Sequence, residues 1–256
     1  MSNFRWITTG AIVVGAVMIV LLERWRPYTK GQPLLRAQFF NDLIMYGIVQ
    51  SYVLALVISW MLEHIPYFTA ISKLGLVSGW PLMAQLAFFL VEHDLYIYWF
   101  HRWQHNSPLL WRIHEAHHAT TEVDWLSGAR SHSIEILINQ GIEFGALLLL
   151  GASPEVVVIK GAVDALWGMY IHSNFDAHTG KFQRVFNGPE MHRWHHAIDS
   201  EAHNRNFSTK LAIWDWLFGT AYLPDAKRPA GYGLGDEDFP TNYFSQHAYA
   251  FRRSNG

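Results

Sequence analysis

The chain has 256 residues, with 19 Lys and Arg against 21 Asp and Glu, a formal net charge of −2 and no cysteine. Half of it is apolar and only 16% is charged, against roughly 25% in an ordinary soluble domain. The absent basic excess removes the electrostatic footprint of a nucleic-acid partner. The absent thiols exclude disulfides, thiolate-ligated haem, cysteine-held iron–sulfur clusters and a cysteine nucleophile.

Trp6 to Leu22 carries no charge, enough for a span that needs about 20 residues, with a range of roughly 17–25. Glu23-Arg24-Trp25-Arg26 follows it instead of a small-residue cleavage site, which predicts a retained helix rather than a signal peptide. Leu43 to Leu62 is a second uncharged run and Leu74 to Val91 a third. Pro81 suits a helix start, and Asn106-Ser107-Pro108 is the next stop signal. A helix from Pro81 to His105 is ~38 Å long against a hydrocarbon core of ~30 Å. Its far end, with His101 and His105, therefore stands clear of the lipid.

Ile134 to Tyr170 holds two apolar stretches joined at Gly151-Ala152-Ser153-Pro154. They form a helical hairpin that either crosses the bilayer or dips into it. Glu143 and Lys160 lie at comparable depth in it. They either pair inside the bundle or line a substrate passage, since intramembrane charges face protein or water. Arg24, Arg26, Lys30, Arg36, Arg102, Arg112, Arg130, Lys181 and Arg184 all fall on one side if the amino terminus is outside. That side is then cytoplasmic. From Ser173 onward charges and turn residues return, and Pro224 to Pro240 reads as irregular.

The expected fold is all-α: a multi-pass transmembrane helical bundle of four or five spans under a histidine-rich cytoplasmic helical cap. It is a single membrane-embedded domain, with an N-terminal membrane hairpin over 1–75, a catalytic region over 76–223 and an irregular cytoplasmic tail over 224–256. The membrane is the plasma membrane in a bacterium and the endoplasmic reticulum in a eukaryote.

Ten of the 15 histidines fall into four groups. His101 and His105 form H-x3-H. His114, His117 and His118 form H-x2-H-H, and so do His192, His195 and His196. His172 and His178 bracket five residues. On a helix, positions i, i+3 and i+4 share one stripe, so each group aims two or three imidazoles at one place. Four to six ligands suffice for one transition ion, so the eight histidines of the three tight clusters argue for two metals. All-imidazole ligation suits iron, zinc, copper or nickel. His114-Glu115-Ala116-His117-His118 also matches the H-E-x-x-H zinc signature. A membrane zinc hydrolase of lipid amides or esters, with Glu115 or Glu190 as base, is therefore the alternative. His93 lies ~12 Å along its helix from His101, too far to share a site. His64 and His247 read as surface residues.

The clusters come with flanking residues: His93-Asp94, Tyr98-Trp99-Phe100-His101-Arg102, Leu110-Trp111-Arg112-Ile113-His114 and Pro189-Glu190-Met191-His192-Arg193-Trp194-His195-His196. Asn206-Phe207 and Trp214-Asp215-Trp216-Leu217-Phe218-Gly219-Thr220 follow in order. Residues 80–223 thereby resemble the fatty acid hydroxylase/sterol desaturase superfamily of membrane-bound non-haem di-iron oxygenases.

The resemblance implies two iron ions, O2 as cosubstrate, and hydroxylation or desaturation of a fatty acyl, sterol or related lipid C–H bond. By motif position the ligands are His101, His105, His114, His117, His118, His192, His195 and His196. His172 occupies the place of a further ligand, with His178 beside it. His132 and His203 are weaker candidates. Asp94, Asn174, Asp199, Asn206 and Asp215 are candidates to hold the ligands' second N–H. The chain carries no flavin, haem or Rossmann motif, so electrons must come from an external donor such as a ferredoxin or a small cytochrome with its reductase. Arg102, Arg112, Arg193 and Lys210 are candidates for its docking surface.

Overall fold

Helix α1 (Ser2–Trp25) leads into a π-helical stretch, Asn41–Gln50, that continues as α2 (Ser51–His64). The structure, a computed structural model, describes residues 2–64, 74–235 and 239–253. The remainder of the expected 1–75 hairpin, residues 65–73, lies outside the described residues. Next come α3 (Leu82–Asn106), α4 (Pro108–His118), α5 (Ser133–Leu150) and α6 (Pro154–His172). Three short helices complete the order: α7 (Pro189–His195), α8 (Ile213–Leu217) and α9 (Tyr243–Tyr249). No β-strand occurs among the described residues.

The proline and glycine signals for helix ends act as expected, and side-chain caps that the sequence did not announce add to them. Ser107 caps α4 by accepting from Leu110 N, with Pro108 in the first turn. His132 caps α5, its Nδ1 accepting from Ile134 N at 3.1 Å. Gly151 ends α5 with φ +79°, and a Cβ there would lie 2.8 Å from Gly75 Cα, so both backbone and neighbour require glycine. Pro154 then opens α6, closing the predicted hairpin.

Trp6–Trp25, Asn41–His64 and Ser133–Leu150 are long and apolar enough to cross a membrane. The expectation of four or five spans counted α3 and α6 as well. Neither is apolar enough to join the three. Residues 74–80 of the third apolar run form a turn, so α3 starts only at Leu82 and then carries Glu92 and Asp94. Charges at Glu155, Lys160 and Asp164 interrupt α6. The charges in the hairpin are tied together: Lys160 Nζ contacts Glu143, Asp164 Oδ2 at 2.7 Å and His93 Nδ1 at 3.0 Å.

Buried carboxylates fasten the cap to the long helices. Glu23 accepts from Trp125 N (2.8 Å) and Asn174 N (2.7 Å). Asp94 accepts from Thr209 Oγ1, Lys210 N, Leu211 N and Trp214 Nε1 at 2.6–3.0 Å. Asp42 pairs with Arg36 at 2.8 Å and Arg130 at 2.9 Å, and Arg36 also reaches Asp124. Hydrogen bonds to charged groups contribute about 1.5–3 kcal/mol each, so these anchors fix the cap loops against helices they do not adjoin in sequence.

The tail departs from the irregular expectation. Asn242 caps α9 by accepting from Ser245 N at 3.1 Å. Gln246 Oε1 accepts from the buried Tyr46 hydroxyl at 2.7 Å. His247, expected at the surface, stacks on His132 with ring centroids 4.3 Å apart.

Candidate metal centre

Nine of the ten clustered histidines gather into two adjacent sets. His101, His105, His114, His118 and His195 form one; His117, His172, His192 and His196 form the other. Within each set, one nitrogen per ring lies within 4.8 Å of all the others. The sets share a wall: His118 and His196 have ring centroids 4.6 Å apart, and His114 and His117 5.0 Å.

Helix geometry divides each H-x2-H-H motif between the sets. His114 and His118, one turn apart on α4, go together, and His117 turns to the other side. On α7 the order reverses: His192 and His196 enter the second set and His195 the first. The single stripe expected of H-x2-H-H is divided: at 3.6 residues per turn positions i+3 and i+4 fall on opposite sides of i, about 100° apart, so one short helix serves two centres. Close approach of the loops completes the arrangement. A Cβ on Gly128 would lie 2.7 Å from His172 Nδ1, so only glycine lets that loop pack on the ring.

The outward nitrogens fix the tautomers. Nδ1 donates to Phe207 O from His101 (2.8 Å), to Arg130 O from His117 (2.9 Å), to Gly168 O from His172 (2.7 Å) and to Arg205 O from His195 (2.8 Å). His114 Nδ1 donates to Glu135 Oε1 at 3.0 Å. Carbonyl and carboxylate oxygens only accept, so each of these rings carries its proton on Nδ1. Burial drives the His114 and His117 pKa values down to about 3, and lowers those of His118, His195 and His196 well below the usual value. The rings are therefore neutral.

The inward nitrogens then hold lone pairs against one another. His101 Nε2 and His114 Nε2 meet at 3.1 Å, and His117 Nε2 and His172 Nε2 at 3.3 Å. Buried Nε2 of His105, His118 and His195 has no partner, and Nε2 of His192 lies 2.9 Å from His172 Nε2 and 3.2 Å from His196 Nε2. Such orphaned acceptors are costly, and a cation in each set would satisfy them. The donor set fits iron or another nitrogen-loving divalent ion.

The remaining candidates lie elsewhere. His178 is exposed and pairs with Asp176 at 3.2 Å, because the residues after α6 carry it out to the surface. His132 is spent as a helix cap, and its Nε2 faces His247 O at 3.3 Å. His203 is exposed and lines a cavity of about 440 Å³ on the cap side of the first set.

The five candidate partner side chains hold loops, chiefly through backbone groups, rather than imidazoles. Asn174 holds Thr29, Asp199 holds Ala230, Asn206 joins Met191 to Tyr222, and Asp94 binds the 209–214 loop. Asp215 acts one step behind the site: it accepts from Phe207 N at 2.9 Å, and Phe207 O holds His101. The carboxylate in direct contact is Glu135, whose second oxygen is buried without a partner. Its signal was a lone acid in the first turn of an apolar helix. Arg193 and Lys210 are buried, Arg193 under the carbonyls of Ser173 and Phe175, which removes both from a docking surface. Both oxygens of Glu115 are held by Arg252 at 2.7 and 2.8 Å. Glu190 accepts from Gln183.

An all-helical fold with membrane-length helices and two imidazole-lined pockets defines a membrane-associated metalloenzyme of the histidine-rich type. The fatty acid hydroxylase family profile matches residues 86–220. An ornithine lipid hydroxylase of Rhizobium tropici is 33% identical over 242 residues, covering 91% of this chain and 70% of that protein. Human alkylglycerol monooxygenase is 30% identical over 141 residues, 55% of this chain and 31% of that protein. A methylsterol monooxygenase of Aspergillus fumigatus is 26% identical over 221 residues, 80% of this chain and 70% of that protein. No solved structure matches significantly. The chain belongs to the fatty acid hydroxylase family, and its activity is oxidation of a lipid C–H bond. Nothing in these comparisons supports the hydrolase alternative.

Proposed function

We propose that the chain is a di-iron lipid hydroxylase, with one iron in each histidine set and an external two-electron donor. Its substrate is a polar membrane lipid of the kind named for the Rhizobium relative. The single observation that carries the two-metal reading is the opposition of lone pairs within both sets. Iron held by these nine histidines would supply reductive activation of O2, with two electrons from the external donor and two protons from water, so that one oxygen atom is inserted into the C–H bond and the other is released as water.

The chain's own residues do the rest. The carbonyls of Phe207, Arg130, Gly168 and Arg205 hold the rings in one tautomer. A cavity of about 240 Å³ reaches the rings of both sets, with Ile97, Phe100, Trp167 and Ile171 as apolar walls. Such walls exclude water from the reacting carbon. The cap-side cavity reaches His105, His118 and His195 past Trp111 and Asn204, which leaves that face for the donor. Arg102 and Arg112 are the remaining basic candidates near it.

The reading places the active site on the cytoplasmic side, with the amino terminus outside and α3 and α6 completing a five-helix bundle. Residues 76–223 carry the catalytic region. Exposed Phe182, Phe186, Trp216 and Leu217 on the cap support its seat against the lipid. The test is expression with a compatible reductase, metal analysis, and lipid analysis under isotopically labelled O2. Two irons per chain and one labelled oxygen per product are expected. Tight zinc alone, with oxygen-independent lipid cleavage, overturns the proposal.

A further inference from the structure

The two histidine sets differ in how an ion reaches them from water. All four rings of the second set are buried, whereas His105 leaves the first set partly exposed. The cap-side cavity of about 440 Å³ is lined by His105, His118 and His195 of the first set and by no ring of the second. The 240 Å³ cavity touches both sets, but Ile97, Phe100, Trp167 and Ile171 make its walls apolar. A cation stripped of water among such walls gains nothing in return.

The cap-side cavity has the opposite lining. The three rings of the first set that line it, His105, His118 and His195, each carry a buried Nε2 without a partner. Asn106, Ser107, His203 and Asn204 add amide, hydroxyl and imidazole groups, and among the described residues the lining holds no lysine or arginine. Oxygen and imidazole nitrogen atoms of this kind replace a divalent ion's water as it is shed.

His203 stands apart from the other histidines. Among the described residues it alone has a ring with no hydrogen bond, ion pair or ring contact, and it is exposed where it lines the cavity. The next two residues tie it to the first set. Asn204 takes left-handed backbone, φ +57°, which asparagine tolerates, and its side chain bonds His105. Arg205 O accepts from His195 Nδ1 at 2.8 Å. Three consecutive residues thus join an idle surface imidazole to two rings of the set.

We propose that the cap-side cavity is the loading port of the metal centre, and that His203 is a transient ligand that captures a divalent ion from water for His105, His118 and His195. The four-histidine set then fills through the five-histidine set, across the wall where His118 and His196 have ring centroids 4.6 Å apart. Removal runs in the reverse order, so the five-histidine set gives up its ion first. This rests on the reading of both sets as metal sites.

The test follows Co(II) uptake by the chelator-treated full chain in lipid nanodiscs, by stopped-flow visible absorption, beside metal content and thermal midpoints. The wild type is expected to load in two phases of one ion each. His203→Ala should slow the first phase by at least about tenfold, the low end of what loss of a metal partner costs. Its final content should stay at two ions and its thermal midpoint should not move. Leu234→Trp, which fills the cavity and removes no ligand, should slow the same phase. Gly128→Ala, which displaces His172, should keep the first phase and lose the second. Unchanged first-phase rates in His203→Ala and Leu234→Trp overturn the port. So does a second phase surviving alone in Gly128→Ala, or a His203→Ala protein holding fewer than two ions, which makes His203 a resident ligand. A wild type that binds no Co(II) overturns the metal reading and the port together. If the ions load in this order while labelled O2 enters no lipid, the oxidation reading fails and the port stands.

Discussion

Glu135 is the most revealing place to perturb the centre. Its Oε1 accepts from His114 Nδ1 at 3.0 Å, and its Oε2 is buried without a partner. With metal bound, the carboxylate strengthens His114 as a donor and is balanced by the ion behind it. Without metal, it is a buried charge beside a neutral ring. Glu135→Gln keeps an acceptor for the imidazole N–H and removes the charge, so its effects should have opposite signs in the two states. Metal affinity should fall by about 10–100-fold, the usual effect of losing such a partner. A charge-assisted hydrogen bond of about 1.5–3 kcal/mol spans the same range at 1.4 kcal/mol per decade. The metal-free protein should meanwhile gain stability. The assay is Co(II) titration of chelator-treated protein in nanodiscs against a competing chelator, paired with thermal midpoints with and without metal. Unchanged affinity, or a lower midpoint in the metal-free variant, would refute the assigned role of the carboxylate.

Gly128→Ala should displace His172, whose Nδ1 would lie 2.7 Å from the new Cβ. Metal analysis should show about half the wild-type content, because the five-histidine set is not touched; full loss of both ions would contradict independent sets. Arg252→Met leaves Glu115 without its counter-ion. Arg252 is a third exposed, so about 1–2 kcal/mol is expected rather than the full cost of a buried pair. Glu115→Gln should keep lipid oxidation and lose only stability, and loss of turnover at full metal content would return Glu115 to the chemistry. Below an unfolded-state pKa of 6.5, unfolded histidines take up protons that His114 and His117, depressed to about 3, refuse. The metal-free protein should therefore lose stability as pH falls from 6.5 toward 3, by up to about 1.4 kcal/mol per pH unit per such histidine. A thermal midpoint flat across that window would show that the rings are not buried neutral.

The sequence displayed the ligand residues and concealed what orients them. H-x3-H and H-x2-H-H are local patterns, and the helix repeat converts them directly into shared faces. Pro108, Pro154 and Pro189 mark starts, and Gly151 marks an end, because proline and glycine act on their own backbone. The partners of the imidazole N–H groups are different. Four are backbone carbonyls, at Phe207, Arg130, Gly168 and Arg205, and every residue type has one. Polar side chains such as Asn174 and Asp199 were plausible partners by type, but type does not reveal direction, and they hold loops instead. His178 was misplaced for a similar reason. Spacing from His172 places it near in sequence, whereas the chain after α6 turns it outward to Asp176. The run from Leu74 also includes a turn at 74–80 that length alone does not expose.

The division of labour within H-x2-H-H explains why the motif occurs twice. A pair at i and i+4 gives one centre two ligands from one short helix. The extra histidine at i+3 gives the neighbouring centre one. Had α4 and α7 divided their rings in the same sense, one set would have collected four ligands from these two helices and the other two. With opposite senses, His114, His118 and His195 go to one side and His117, His192 and His196 to the other. Each side then takes its remaining ligands from long helices: His101 and His105 from α3, and His172 from α6. The two centres thereby lean on different walls of the same cavity, His101 on the α3 side and His172 on the α6 side. Gly128, packed on His172, and Glu135, bonded to His114, touch opposite sets, so a change at either should alter one centre before the other.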